Sequence, residues 1–183
     1  EQIRDLGHEI GYHYEDLSLT GGNIDAAYTS FCNNLNTLRQ YYPVKTVSMH
    51  GSPASRFDSR DIWTSHNYRD QGIVCEPYFD TDFNKVFYLT DTGRRWDGWK
   101  MNVRDKIPAM EKGPYKNLSF HSTPDIISAT RANTLPEKIM FNIHPQRWTN
   151  KPLPWMKELL LQNTKNIIKR LIVNYKKQGN DTA

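Results

Sequence analysis

Apolar residues recur along this chain with two periods, one near 3.6 residues and one of 2, and the switch between them marks the elements. From Asn23 to Tyr42 the apolar positions are Ile24, Tyr28, Phe31, Leu35, Leu38 and Tyr42, spaced by fours and threes. That is one face of an amphipathic helix, with Asn23 suited to cap it and Pro43 to stop it. Residues 1–6 read as the last turn of a helix closed by Gly7, a short helix is expected from Ser59 to about Ser65, and Thr123-Pro124-Asp125 opens another. A long final helix spans about Trp155 to Lys176, its apolar residues being Met156, Leu159, Leu160, Ile167, Leu171 and Tyr175.

The shorter period gives strands at His8–His13, Lys45–His50, Val86–Thr90, Leu118–His121 and Lys138–Ile143. In the second of these, Val47 and Met49 share one face, while Thr46, Ser48 and His50 share the other. Residues 94–117 look irregular, with a small hairpin around Trp99–Val103. Strands alternating with helices predict an α/β fold with parallel strands. Several strands end on polar or ionisable residues: His13, His50, Asp91 and His144. An α/β barrel gathers such strand ends on one rim, which is where its chemistry sits.

Composition changes this picture little. The chain has 183 residues, enough for one domain with a sizeable core, and with 37% hydrophobic residues it is globular, not disordered. Ten tyrosines and five tryptophans exceed the needs of such a core, so some should line a surface or groove. A sugar-binding wall and scattered amphipathic packing both remain open. The net charge of +4 comes largely from Lys165, Lys169, Arg170, Lys176 and Lys177, which read as the solvated face of the final helix. The run lacks a nucleic-acid motif and interleaved stacking aromatics, so no nucleic-acid partner is expected. Cys32 and Cys75 fit buried free thiols, favouring a reducing, cytoplasmic compartment. No apolar run is long enough to span a membrane. The chain opens on Glu1 inside a helix-like phrase, which suggests that the natural N terminus lies further upstream.

Three histidines at equivalent strand positions favour a shared site. Neutral imidazole is the commonest metal ligand, and catalytic zinc usually takes three protein ligands and keeps one open position. His13 and His50 are candidates for two of them, with Asp16 or Glu15 as the third.

Gly7-His8-Glu9-Ile10-Gly11-Tyr12-His13 resembles the Gly-His-Glu-Ile-Gly-Asn-His phrase of the NodB-like polysaccharide deacetylases, carbohydrate esterase family 4. His13 falls on the first metal-binding histidine of the family's His-Ser/Thr-x-x-His motif, and Leu17 stands where its second histidine would be. The likeness is greater to a branch found with bacterial surface-polysaccharide genes, which carries a later Ser-x-His-Arg-Pro motif. Ser48-Met49-His50-Gly51-Ser52-Pro53 is similar to it, with Gly51 where arginine is common, and His50 is the candidate to replace the missing ligand. Tyr88 to Trp96 resembles the family's Asp-and-Trp motif, and Asn142-Ile143-His144-Pro145 its late histidine motif. The four motifs span residues 7 to 148, in the family's order.

The resemblance implies removal of acetyl from the N-acetylated sugars of a surface polysaccharide or its precursor. It implies a divalent metal, zinc with cobalt or nickel as alternatives, held by His13 and His50. His144 would be the catalytic acid, oriented by Asp91 or a nearby arginine. Trp96, Arg95 and Trp148 would face the substrate, packing being the alternative for the two tryptophans. The family's Asp-rich first motif, which supplies the base and an aspartate ligand, has no counterpart here. The expected fold is therefore an incomplete (β/α) barrel, one domain over residues 1–183, with about five parallel strands and flanking helices. Little catalysis is expected from this chain alone. A bare sheet edge would seek a partner, a second copy being one outcome. Two other functions stay open: a non-catalytic carbohydrate-binding or scaffolding relative, and a metal-free glycosidase using Asp80, Asp82 or Asp91 at roughly 5–10 Å across a cleft.

Overall fold

The computed structural model describes residues 1–51, 55–96, 107–145 and 148–180. The chain divides into two compact units, Glu1–Thr81 and Asp82–Ala183.

In the first unit, α1 (Gln2–Asp5) ends at Gly7, whose φ of 79° lies in the left-handed region. The Gly7 and His8 amides donate to Arg4 O and Ile3 O at 2.8 and 3.2 Å, satisfying the helix's last carbonyls. β1 (Tyr12–Tyr14), α2 (Asp16–Leu19), α3 (Ile24–Arg39) and β2 (Val47–Met49) follow. The Asn23 side chain accepts from the Ala26 amide at 3.0 Å and caps α3, as its position suggested. That helix buries Ala27, Phe31 and Leu35 against Tyr14, Leu17, Val47, Met49 and Ile62.

β1 and β2 pair in parallel with His13 opposite Ser48, and α3 lies in the crossover that such a pair requires. A parallel bridge from Thr46 to Cys75 extends the pairing beyond β2. Regular pairing of β1 starts only at Tyr12, later than the run from His8 suggests. Just ahead of it Gly11 passes so close to the neighbouring chain that a Cβ there would lie 2.9 Å from Thr46 Oγ1. The helix expected at Ser59 is a 3-10 helix, Ser59–Thr64, and a second covers Tyr68–Gln71. α4 (Pro77–Asp80) closes this unit.

The second unit contains β3 (Phe87–Thr90), a 3-10 turn at Thr92–Arg94, α5 (Pro108–Lys112), α6 (Thr123–Arg131), β4 (Ile139–Asn142) and α7 (Pro152–Asn180). All four residues of β3 are buried, and it pairs in parallel with β4, Thr90 opposite Asn142. Phe87, Tyr88 and Leu89 form a core with Ile107, Met110 and Ile126.

Leu118–His121, expected as a strand, is irregular. Its side chains behave as a strand's would, since Leu118 and Phe120 pack on this core. Its amides are taken elsewhere: Leu118 N–H goes to Tyr115 O, and His121 N–H to the Asp125 carboxylate that also caps α6. The hairpin expected around Trp99–Val103 lies outside the described residues.

The architecture is mixed α/β, with two separate two-stranded parallel sheets and no closed barrel among the described residues. Among them, no helix is long and apolar enough to cross a membrane. Both cysteines are free thiols whose pKa burial raises.

Glu76 fastens β2 to α4. It is fully buried, its Oε1 accepting from the Met49 amide at 3.1 Å and its Oε2 from the Tyr78 and Phe79 amides at 2.7 and 3.2 Å. Burial outweighs these bonds and raises its pKa above the ordinary glutamate value. The native state therefore holds this proton more tightly than the unfolded chain does. The linked stabilisation is complete below the unfolded value and is lost as pH rises through the folded one. Glu76→Ala removes a helix cap and strands buried amides, so it should destabilise the protein by about 2–4 kcal/mol in urea unfolding. The gap to wild type should be widest in mild acid and narrow as pH rises.

Candidate functional site

The polar groups of interest stand at or near the C-terminal ends of paired strands, one set in each unit; His13 is the middle residue of β1, which runs on to Tyr14 instead of ending on the histidine, and His50 follows β2 directly. In the first unit the period of 2 puts His50 on the same sheet face as Ser48, and register puts His13 opposite Ser48. The two imidazoles accordingly lie 5.1 Å apart, centroid to centroid.

Each ring uses Nδ1 for an oxygen partner. His13 Nδ1 meets Ser48 O at 3.0 Å, and His50 Nδ1 meets the Glu15 carboxylate at 2.6 Å. In a neutral ring an Nδ1–H donated in this way puts the lone pair on Nε2, the arrangement that outer partners impose on metal-ligating histidines. Both rings and Glu15 are exposed enough to meet a ligand from solvent.

Asp16 takes a different part. It is fully buried and accepts from Tyr12 Oη at 2.7 Å, Ser30 Oγ at 2.6 Å and Asn34 Nδ2 at 2.9 Å. These bonds tie β1, α2 and α3 together and withdraw Asp16 from the ligand role considered for it. Burial and the Asp16 carboxylate hold the Tyr12 phenol well above its ordinary range, so it remains a donor. Leu17 is 2% exposed and belongs to the hydrophobic core. The donor set thus fits two of the three protein ligands that a catalytic zinc takes. Among the described residues, no three His, Cys, Asp or Glu side chains converge into a group that could hold a metal ion.

In the second unit Asp91 follows β3 and His144 lies two residues beyond β4. The Asp91 carboxylate grips His144 twice: Oδ1 accepts from Nδ1 at 2.5 Å and Oδ2 from the backbone amide at 3.0 Å. This fixes both the position of the residue and the tilt of its ring. Nδ1–H toward Asp91 makes Nε2 the nitrogen available for proton transfer.

Beside this pair lies a cavity of about 500 Å³, lined among others by Asp91, Arg94, Trp96, Thr123, Trp148 and Trp155. Trp96 donates from Nε1 to Thr123 Oγ1 at 3.0 Å and packs edge-on against Phe141. Trp148 is 60% exposed and Trp155 43%.

Arg95 is directed elsewhere, its Nη2 bonding His121 Nδ1 at 2.9 Å, and Arg94 lines the cavity in its place. Sequence reasoning missed Arg94 and Trp155. The two arginines are adjacent, so only the turn decides between them, and Trp155 lies 61 residues beyond Arg94.

The carboxylates weighed for a metal-free glycosidase are also engaged. Asp80 pairs with Arg69 and accepts from Tyr68 Oη, Asp82 pairs with Lys85, and Asp91 holds His144.

No family model, curated protein or solved structure matches this chain. Its likeness to the NodB-like deacetylases rests on the four motifs alone.

The Asp91–His144 grip can be read directly by nitrogen-15 NMR of the imidazole. Wild type should show His144 protonated at Nδ1 when neutral, and Asp91→Ala should abolish that preference.

Proposed function

We propose that this protein is a metal-dependent hydrolase that removes acetyl groups from N-acetylated sugars, built on an incomplete (β/α) barrel of the NodB-like type. The observation that carries the proposal is the approach of His13 in β1 to His50 just past β2, each with Nδ1 on an oxygen partner. His13 and His50 would hold a divalent ion, whose chemistry there would be polarisation of the acetyl carbonyl and a lowered pKa for water. Ser48 O and Glu15 orient the two imidazoles. Amide cleavage also needs a proton on the departing nitrogen, and the resemblance of Asn142–Pro145 to the late histidine motif makes His144, oriented by Asp91 within the second unit, the candidate donor. Trp96 and Trp148 offer apolar faces to the sugar.

Isothermal titration with zinc tests the first unit's part. His13→Ala and His50→Ala should each abolish detectable binding, and Glu15→Gln should weaken it by about 10–100-fold. Unchanged affinity in either histidine variant would remove that residue from the site. For the chemistry, acetate release from a panel of N-acetylated oligosaccharides is measured on the protein at its full natural length. Release that a chelator suppresses supports the proposal, and none on the whole panel overturns it. His144→Ala should abolish turnover with metal content unchanged, whereas loss of metal would make His144 a ligand.

A non-catalytic carbohydrate-binding relative is the second reading. It is favoured by Leu17, a core residue where the resembled motif has a histidine, and by a donor set of two imidazoles. Stoichiometric metal in the purified full-length protein would decide against it.

A further inference from the structure

We infer that the tryptophan-lined cavity of the second unit is a subsite for an acidic sugar, with Arg94 receiving the sugar's carboxylate. The inference rests on the carbohydrate reading above and narrows it to uronic acids and related carboxylate-bearing N-acetyl sugars.

The turn after β3 sets the course of two adjacent arginines. Arg94 has φ 62°, in the left-handed region that residues with a Cβ seldom adopt. Its amide closes the turn by donating to Asp91 O at 2.9 Å. Such a conformation persists where the surroundings fix it, and it gathers at binding sites more than elsewhere. Its effect is to bring the Arg94 side chain to the cavity, while Arg95 departs toward His121.

The guanidinium is held there from one side. Its Cζ lies 4.8 Å from the centre of the Trp155 ring, and Nη1 donates to Trp155 O at 3.2 Å. A cation on an indole face is positioned without being neutralised. Among the described residues no carboxylate lies within ion-pair distance of Arg94. Among the described residues the one acid lining this cavity, Asp91, gives both oxygens to His144. The edge formed by Nε and Nη2 takes no described hydrogen bond within the protein, and two parallel N–H groups match a carboxylate.

The rest of the lining suits a sugar ring. Trp148 and Trp155 keep large exposed faces beside the cavity, where core tryptophans would be covered. Trp96 has spent its one donor on Thr123, so it offers only apolar surface. The volume of about 500 Å³ accommodates one or two sugar units. Aromatic walls would bind the apolar face of a neutral or an acidic sugar alike, and Arg94, with no ion-pair partner among the described residues, selects the acidic one.

The test compares N-acetylglucosamine with N-acetylglucosaminuronic acid by titration calorimetry on the whole chain, with tryptophan fluorescence as a second signal. The acid should bind at least about tenfold tighter, and the preference should shrink as salt is added. Arg94→Met should bring the two affinities within twofold of one another. Arg94→Gly, which suits the positive φ and also lacks the guanidinium, should do the same and guards against a misfolded variant. Trp148→Ala, at an exposed position, should weaken both sugars together and leave their ratio intact. Equal binding of the two sugars, a preference that survives in Arg94→Gly, or no binding of either overturns the inference. These readouts need neither metal nor turnover. Loss of the acid preference therefore leaves the deacetylase proposal standing, and absent acetate release leaves the subsite standing.

Discussion

Two strands that run in the same direction end at the same edge, and in each unit this consequence of parallel pairing assembles a polar pair. His13 lies within β1 and His50 just past β2, and Asp91 and His144 lie just past β3 and β4. The members of each pair are separated by dozens of residues in sequence. Hydrogen-bond register sets their distance, because a one-residue slip of either strand would turn one partner to the opposite face. The chemistry proposed for each unit therefore depends on backbone pairing before it depends on any side-chain contact.

Pairing this short needs reinforcement, and the chain supplies it with buried carboxylates. β1 and β2 are three residues each. Asp16, just past β1, collects hydroxyl and amide donors from β1 and α3, and Glu76 binds the Met49 amide of β2 while capping α4. A carboxylate buried with all its donors in place fixes geometry more strictly than an apolar contact, since a small displacement leaves polar atoms unsatisfied. The exposed histidines thus stand on a base locked by acids that do no chemistry themselves. Asp16 and Glu15 are neighbours in sequence, yet one is structural and the other meets the His50 ring.

Much of the frame was legible beforehand because local rules governed it. Asn23 at the start of α3, Gly7 at the end of α1 and the opening of α6 each behave as their residue types require. The sheet edges were readable for a similar reason: alternation in Lys45–His50 already put Ser48 and His50 on one face. Leu118–His121 misled because alternation reports which side chains are buried and not where the amides bond. A helix cap took the amide of His121 that a strand would have used. The long α7 shows the same gap. Its apolar stripe predicted a helix, but Met156, Leu160 and Ile167 on that stripe are exposed.

The sequence by itself determined the four strands that pair, the helices α3, α6 and α7, the α/β class and the candidate set His13, His50, Asp91 and His144, because periodicity and caps act over a few residues. Only the tertiary structure decided which candidates meet and what each one touches. Folding put Asp91 on His144 and Glu15 on His50, buried Asp16 and Leu17, and brought Arg94 to Trp155. Those outcomes depend on register, on the hand of one turn and on the competition of donors for acceptors. Each is a contest between groups distant along the chain, and no local pattern records its result.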